Sequence, residues 1–407
     1  MSSPERAAAS LAAQRLADHM AAPSPPAEGE PWLGQSLAKG AAGSALLHIE
    51  RAHTGHGTWS HAHAWVKAAA TGEISAADTT GLYLGAPAFA FTLHAAIAES
   101  SSRYRSTLAV LDRHVADLAH RRVDTATARI NRGALPEFRE FDLLFGLTGI
   151  GALLLHRNPG GSALEQVLTY LVTLTRPLAH EEQQLPGWWV GHDPHGPEHP
   201  MPGGHGNLGT AHGITGPLLL LSQAARRDIT VPGQHEAITT VLDWLDTWRQ
   251  DSPAGPWWPE HLTRADLHTG RPTQSGPYRP SWCYGTPGIT RAGQLAAIAT
   301  TDPARQRQFE DALSACLADP EQLDKITDAG LCHGWAGLYQ TTWRAASDAT
   351  TPALHTALPR LAAELVRHSG PGAGPGFLEG DAGTALALTT AATGAPTSGW
   401  DACLLID

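Results

Sequence analysis

The feature that most constrains this chain is a Gly-x-x-Gly pair followed by an Ala/Leu-rich stretch, and it recurs seven times. The copies are GAAGSALL at Gly40, GAPAFAFTL at Gly85, GLTGIGALLL at Gly146, GITGPLLLL at Gly213, GTPGITRAG at Gly285, GWAGLYQ at Gly334 and GDAGTALAL at Gly380. The second copy is imperfect, with Ala88 in place of the second glycine. Successive first glycines are 45, 61, 67, 72, 49 and 46 residues apart, which puts the length variation in loops. Self-similarity at such periods means that one supersecondary unit is repeated and that neighbours bury each other's faces.

Between the copies lie segments with apolar residues at helical spacing. They include Leu108, Leu111, Val115 and Leu118; Leu164, Val167, Leu168 and Leu171; Ile238, Val241, Leu242, Leu245 and Trp248; Phe309, Leu313, Cys316 and Leu317; and Leu354, Leu358, Leu361 and Leu365. Strand-like alternation is nearly absent, so the reading is an all-α chain of seven helix pairs. A helix of Gly and Ala permits close backbone approach and belongs inside; an amphipathic helix buries one face and belongs outside. An open solenoid needs polar caps and favours constant repeat length, whereas closure removes the ends. The expected fold is therefore an α/α toroid of seven inner and seven outer helices, its glycine turns at one end and the residues before them facing a central cavity. Residues 1–30, an Ala-rich helix and the Pro-rich AAPSPPAEGE linker, are expected to belong to the same domain as a single toroid over 31–407.

Charge and cysteine usage narrow the function. With 28 Lys+Arg against 39 Asp+Glu, the net charge is −11, which excludes the basic footprint of a general nucleic-acid binder. The start, MSSPERAAASLAAQRLADHM, lacks the apolar core of a signal peptide, and runs such as LLLL at 218–221 fall far short of the ~18 residues of a membrane span. Four cysteines are too few for a disulfide scaffold and point to a reducing compartment. The expected location is cytoplasmic.

Aligned on their first glycine, the copies are preceded by Ala38-Lys39, Tyr83-Leu84, Leu144-Phe145, Ala211-His212, Cys283-Tyr284, Cys332-His333 and Leu378-Glu379. Two cysteines share one register, and His333 follows the second. Two thiolates and an imidazole suit Zn²⁺, and three protein ligands leave the fourth tetrahedral position for substrate or water. Cys316, on an amphipathic face, and Cys403, in the terminal WDACLLID, are expected to be structural. The longest breaks, 183–208 and 251–281, are candidates for a peptide-binding rim. Their Trp188, Trp189, Trp257 and Trp258 act either as recognition contacts or as buried loop anchors. The loop histidines His192, His195, His199 and His205 lack the fixed register of a second metal site.

These blocks resemble the lanthipeptide (lantibiotic) cyclases, the LanC family, over nearly the whole chain. The resemblance rests on DLLFGLTGIGALLL (142–155), PGWW (186–189), GTAHGITG (209–216), RPSWCYGTPGI (279–289), LCHGWAGL (331–338), FLEGDAGTALAL (377–388) and WDACLLID. It implies an α/α toroid with one Zn²⁺ per chain held by Cys283, Cys332 and His333, and further site residues Asp142, His212, Arg279 and Tyr284. The implied reaction adds a cysteine thiolate of a precursor peptide to dehydroalanine or dehydrobutyrine, giving a lanthionine or methyllanthionine thioether. His212 is the expected acid that protonates the α-carbon, with Asp142 orienting it. Arg279 is assigned to stabilising Asp142 or the enolate oxygen, and Tyr284 to hydrogen-bonding the thiol or the enolate. The structural alternatives are an Asp142 that caps the Gly146 turn, an Arg279 that solvates a loop and a Tyr284 that packs a wall.

The implied partners are a dehydrated lanthipeptide precursor, a separate dehydratase and an exporter, since the chain has no room for an attached dehydratase or kinase-like region. One rival is a non-catalytic, zinc-containing peptide-docking scaffold. The other is an α-toroid zinc enzyme prenylating protein thiols, whose carboxylate ligand has Glu379 as its nearest candidate.

Overall fold

The computed structural model describes residues 1–23, 31–97, 103–194 and 200–407. The Pro-rich stretch 24–30 and the loop histidines His195 and His199 lie outside the described residues. The long helices are α1 (Ser3–His19), α2 (Ala41–His53), α3 (Trp59–Ala69), α4 (Ala86–Ala95), α5 (Arg105–Asn131), α6 (Leu147–Arg157) and α7 (Ser162–Leu174). They continue with α8 (Thr215–Ala225), α9 (Gln234–Trp248), α10 (Thr286–Ala299), α11 (Pro303–Ala318), α12 (Trp335–Asp348), α13 (Ala353–His368) and α14 (Asp381–Thr393). Four short strands occur among the described residues: β1 (Leu178–His180) pairs with β2 (Gln183–Leu185), and β3 (Gly206–Asn207) with β4 (His261–Leu262), both antiparallel.

Each Gly-x-x-Gly copy opens a helix. Gly40, Gly85, Gly146, Gly285, Gly334 and Gly380 are the N-caps of α2, α4, α6, α10, α12 and α14, and Gly213 stands one residue before the cap of α8. The turn has a recurring hydrogen bond, in which the second glycine's N–H reaches the carbonyl seven residues back. The pairs are Gly43 to Ser36 (3.4 Å), Gly149 to Asp142 (3.4 Å), Gly288 to Ser281 (3.3 Å) and Gly337 to Gly330 (3.2 Å). The wrapped backbone leaves no room for a side chain there: a Cβ on Gly337 would sit 2.0 Å from the Leu331 carbonyl oxygen.

Burial separates the two helix types as their composition requires. Helices α4, α6, α8 and α14 are buried almost all round. In contrast, α9 buries one stripe, Ala237, Ile238, Val241, Leu242, Leu245 and Trp248, and α13 buries Leu354, Leu361, Ala362 and Leu365.

Two compact units are distinguished, residues 1–116 with 326–407, and residues 117–325. In the first, α2 packs with α3, α12 with α13, and α14 with the N-terminal helix α1. Six amphipathic segments separate the seven glycine helices, and α1 thus supplies an amphipathic-type partner for the last of them. In the second unit α6 packs on α7, α8 on α9, and α10 on α11.

The segments just before the glycines are also tied to one another by backbone hydrogen bonds. In the first unit Cys332 N–H donates to Leu378 O, Leu378 N–H to Ala38 O and Leu37 N–H to Tyr83 O. In the second, Leu143 N–H donates to Ala211 O and Thr210 N–H to Cys283 O. These amides have no helix to satisfy them, and pairing between repeats answers that need while setting the pre-glycine residues in register.

The four rim tryptophans are buried anchors. Trp188, Trp189, Trp257 and Trp258 are at most 5% exposed. Trp189 Nε1 donates to Gly203 O (2.9 Å) and Trp258 Nε1 to Leu245 O (2.7 Å). They hold the loops against the helices and present no surface to a peptide. Among the described residues, no helix is long and apolar enough to cross a membrane.

Candidate functional site

The second unit assembles four of the sequence-predicted residues with Cys283. Asp142 stands four residues before Gly146, a register that holds Ser36 and Ser281 in two other copies. There Ser36 Oγ accepts from Lys39 N (3.3 Å) and Ser281 Oγ from Tyr284 N (3.2 Å). Asp142 does the same work with one oxygen: Oδ1 accepts from Phe145 N (2.7 Å) and Gly146 N (2.6 Å). A carboxylate has a second oxygen to spare, and Oδ2 lies 2.6 Å from His212 Nδ1. The capping alternative and the His-orienting role are thus both met by the one side chain. Asp142 is fully buried, whereas the His212 side chain is 25% exposed, so the pair offers an imidazole to solvent from a fixed, dry carboxylate. The ring is further held by Phe145, stacked at 6.0 Å and 14°, and by Phe138 at 4.9 Å. With Nδ1 committed to Asp142, Nε2 is the nitrogen available to exchange a proton.

Tyr284 follows Cys283 and is half-buried. Its hydroxyl accepts from Asn207 Nδ2 (2.9 Å). Burial first, and then the negative charge of Cys283, Glu260 and Asp142, push its pKa well above the ordinary tyrosine value, while the Asn207 hydrogen bond works the other way. The phenol stays protonated and serves as a hydrogen-bond donor. Cys283 is buried, with Ser281 Oγ 3.5 Å from its Sγ.

Arg279 acts electrostatically on Glu260, an acid that sequence reasoning missed. Desolvation and the neighbouring Cys283 raise the Glu260 pKa to about 7, against which Arg279 lowers it. Asn207, His261 and Asp328 were also missed. A signal for two of them existed. The position six residues before the first glycine reads Glu140, Asn207, Arg279 and Asp328 in the third to sixth copies, a polar column in an otherwise small-residue turn. Asn207 Oδ1 accepts from Gly209 N (2.8 Å), and Asp328 Oδ1 from Gly330 N (2.8 Å), the same local turn in two repeats.

Cys332 and His333 lie in the first unit. Cys332 is part-exposed, and His333 Nε2 faces Asp328 Oδ2 at 3.6 Å. A carboxylate on one ring nitrogen is the usual outer support of a metal-ligating histidine, leaving the other nitrogen to bind. Two thiols and one such imidazole are a donor set that fits Zn²⁺. Cys316 and Cys403 have other roles. Cys316 is buried, its Sγ 3.4 Å from Gln322 Oε1, and burial pushes its thiol up to about 12. Cys403 is buried at the Trp400 carbonyl, its thiol likewise raised by burial. Neither offers a thiolate near neutral pH. Glu379 is exposed.

Among the loop histidines, His192 accepts from Phe138 N (3.3 Å) and so braces a ring that packs on His212. His205 is buried with Nδ1 2.9 Å from the His192 carbonyl. Both are fastened to protein groups, His192 to Phe138 and His205 to its own loop.

Comparison with known proteins places the chain in a family. The family model of lanthionine synthetase C-like proteins matches residues 31–405, and the chain belongs to that family. It is 21% identical over 319 residues to the nisin biosynthesis protein NisC of Lactococcus lactis subsp. lactis, an alignment covering 76% of this chain and 73% of that one. Its structure is similar to that of a nisin cyclase, with a TM-score of 0.77 at 20% identity, covering 92% of this chain and 93% of the other. That likeness shows the fold, which is the all-α toroid class expected from the repeat. The enzyme class supported by the family and these relatives is the lanthionine cyclases.

Proposed function

We propose that this chain is a zinc-dependent cyclase that adds cysteine thiolates of a dehydrated precursor peptide to dehydroalanine or dehydrobutyrine, with 31–407 acting as one catalytic domain. The observation that carries the reading is the His212–Asp142 pair at 2.6 Å, set with Tyr284 and Cys283 in a chain of the cyclase family. A non-catalytic docking scaffold has no use for a part-exposed imidazole fixed on a buried carboxylate.

Cys283, Cys332 and His333 would hold the zinc, with Asp328 orienting the imidazole. When bound, the metal lowers the proton affinity of the substrate thiol, so that thiolate is present at neutral pH. The new S–C bond forms at the β-carbon as the C=C π bond breaks, and the electron pair moves to the adjacent carbonyl oxygen. Tyr284 donates a hydrogen bond to that developing oxyanion, and Arg279 adds positive charge nearby. His212, protonated and held by Asp142, delivers a proton from Nε2 to the α-carbon and collapses the enolate. The proton given up by the thiol passes to solvent and His212 is reprotonated from solvent, so the net change is an isomerisation that needs no oxidant or reductant. A dehydratase that supplies the dehydro residues, an exporter and peripheral attachment at a membrane-associated complex belong to the same proposal.

The test is zinc content and ring closure measured together. Protein purified without chelator or histidine tag is expected to carry about one zinc per chain. His212→Ala should keep the zinc and lose closure of a dehydrated peptide, whereas Cys283→Ala should lose both. Absence of zinc in reduced, folded protein would overturn the zinc-dependent reading.

A further inference from the structure

Tyr284 is useful as an oxyanion donor only if its proton points toward the substrate, and a phenol rotates freely unless something decides that direction. The structure contains such a group. Asn207 is 2% exposed and sits at the end of β3, paired across from His261 of β4. Every polar atom of its side chain is engaged. Oδ1 accepts from Gly209 N at 2.8 Å, while Nδ2 lies 2.9 Å from Tyr284 Oη and 3.4 Å from His261 Nε2. The Gly209 amide fixes which end of the side chain is oxygen, because a flipped amide would set an NH₂ against an N–H. Nδ2 is therefore the atom facing Tyr284, and it can only donate.

The packing is built to keep this contact. A Cβ on Gly209 would lie 2.5 Å from Tyr284 Cε1, and one on Gly213 would lie 2.4 Å from Asn207 Oδ1. Each glycine leaves the space that one of the two partners fills. Because Asn207 can only donate, the Tyr284 oxygen must accept on that side, and its own proton is turned away from Asn207.

We propose that Asn207 is a positioning residue that makes Tyr284 an obligate hydrogen-bond donor toward the reacting peptide. The inference rests on the oxyanion role given to Tyr284 above. Asn207 does not touch substrate; it sets the polarity of the group that does.

The test uses the full-length, zinc-loaded enzyme and a synthetic peptide carrying one dehydroalanine and one cysteine a few residues apart, with loss of free thiol followed in time. Asn207→Ala is expected to lower kcat by about tenfold with KM within about twofold, the loss of one positioned hydrogen bond. Asn207→Asp is the sharper variant. It keeps the shape and the Gly209 contact but presents an acceptor, so the Tyr284 proton turns inward; kcat is expected to fall at least as far as in the alanine variant. A purely steric role would leave the aspartate variant near wild type, and that result overturns the proposal. In the Tyr284→Phe background, Asn207→Asp should change kcat by less than about twofold; multiplying losses would also overturn it. A fully active Tyr284→Phe would instead sink the underlying oxyanion reading. An independent readout is the ¹³Cζ resonance of labelled Tyr284, assigned by its loss in Tyr284→Phe, which should shift in Asn207→Asp, the variant that keeps an acceptor for the Gly209 amide, while zinc content holds.

Discussion

Asp142→Asn separates the two tasks of one buried side chain. The asparagine oxygen can still accept from the Phe145 and Gly146 amides, which lie 2.7 and 2.6 Å from Oδ1 in the wild type. The turn into α6 is therefore kept, and the stability change should stay below about 1 kcal/mol. What changes is the atom 2.6 Å from His212 Nδ1, from a charged acceptor to an NH₂ donor. The imidazole must then offer a lone pair at Nδ1, so the proton moves to Nε2 and the cationic ring loses its counter-charge. A hydrogen bond to a charged group contributes about 1.5–3 kcal/mol, and its loss in the protonating form corresponds to a rate lower by roughly 10- to 150-fold. Asp142→Ala behaves differently, since two buried amides lose their acceptor at ~1–3 kcal/mol each and the fold weakens along with activity. The assay compares thiol consumption with a dehydrated peptide against thermal unfolding for both variants. An Asp142→Asn enzyme that cyclises within about twofold of wild type would refute the orienting role, and an asparagine variant as unstable as the alanine one would refute the separation of tasks.

Other outcomes follow from the same geometry. The Glu260 carboxyl, raised from 4.5 to about 7 chiefly by burial, holds its proton more tightly folded than unfolded. Its contribution to stability is complete below pH ~4.5 and is lost as pH rises through ~7. Glu260→Gln should therefore gain about 1–3 kcal/mol over wild type between pH 5 and pH 8, read from denaturant melts at each pH, and a pH-independent difference would contradict the burial argument. Asp401, fully buried, accepts from Gln340 Nε2 (2.6 Å) and from Arg344 Nε (2.7 Å) and Nη2 (2.6 Å). Asp401→Ala should cost about 3 kcal/mol in stability by calorimetry, because it strands a partly buried guanidinium, and should leave zinc stoichiometry intact.

Much of this protein is local in origin and so was legible from the chain alone. The helix starts follow from glycines that admit a wrapped turn where any Cβ would strike backbone, as at Gly337. The outward and inward helices follow from periodicity, and Ile238, Val241, Leu242 and Leu245 are buried together on α9 as their spacing requires. The shared register of Cys283 and Cys332 also needed only counting. Tertiary structure decided what depends on surroundings. Trp188 and Trp257 read equally as rim or anchor, because an indole's exposure is set by what packs over it. Glu260 is an ordinary acid in sequence; its pKa follows from desolvation beside Cys283 and Arg279, residues that folding brings to it. Only the fold places the Asn207 amide on the Tyr284 hydroxyl, 77 positions along the chain. A repeat specifies backbone through short-range sterics, whereas the direction of one proton is settled by the side chains that distant loops bring into contact.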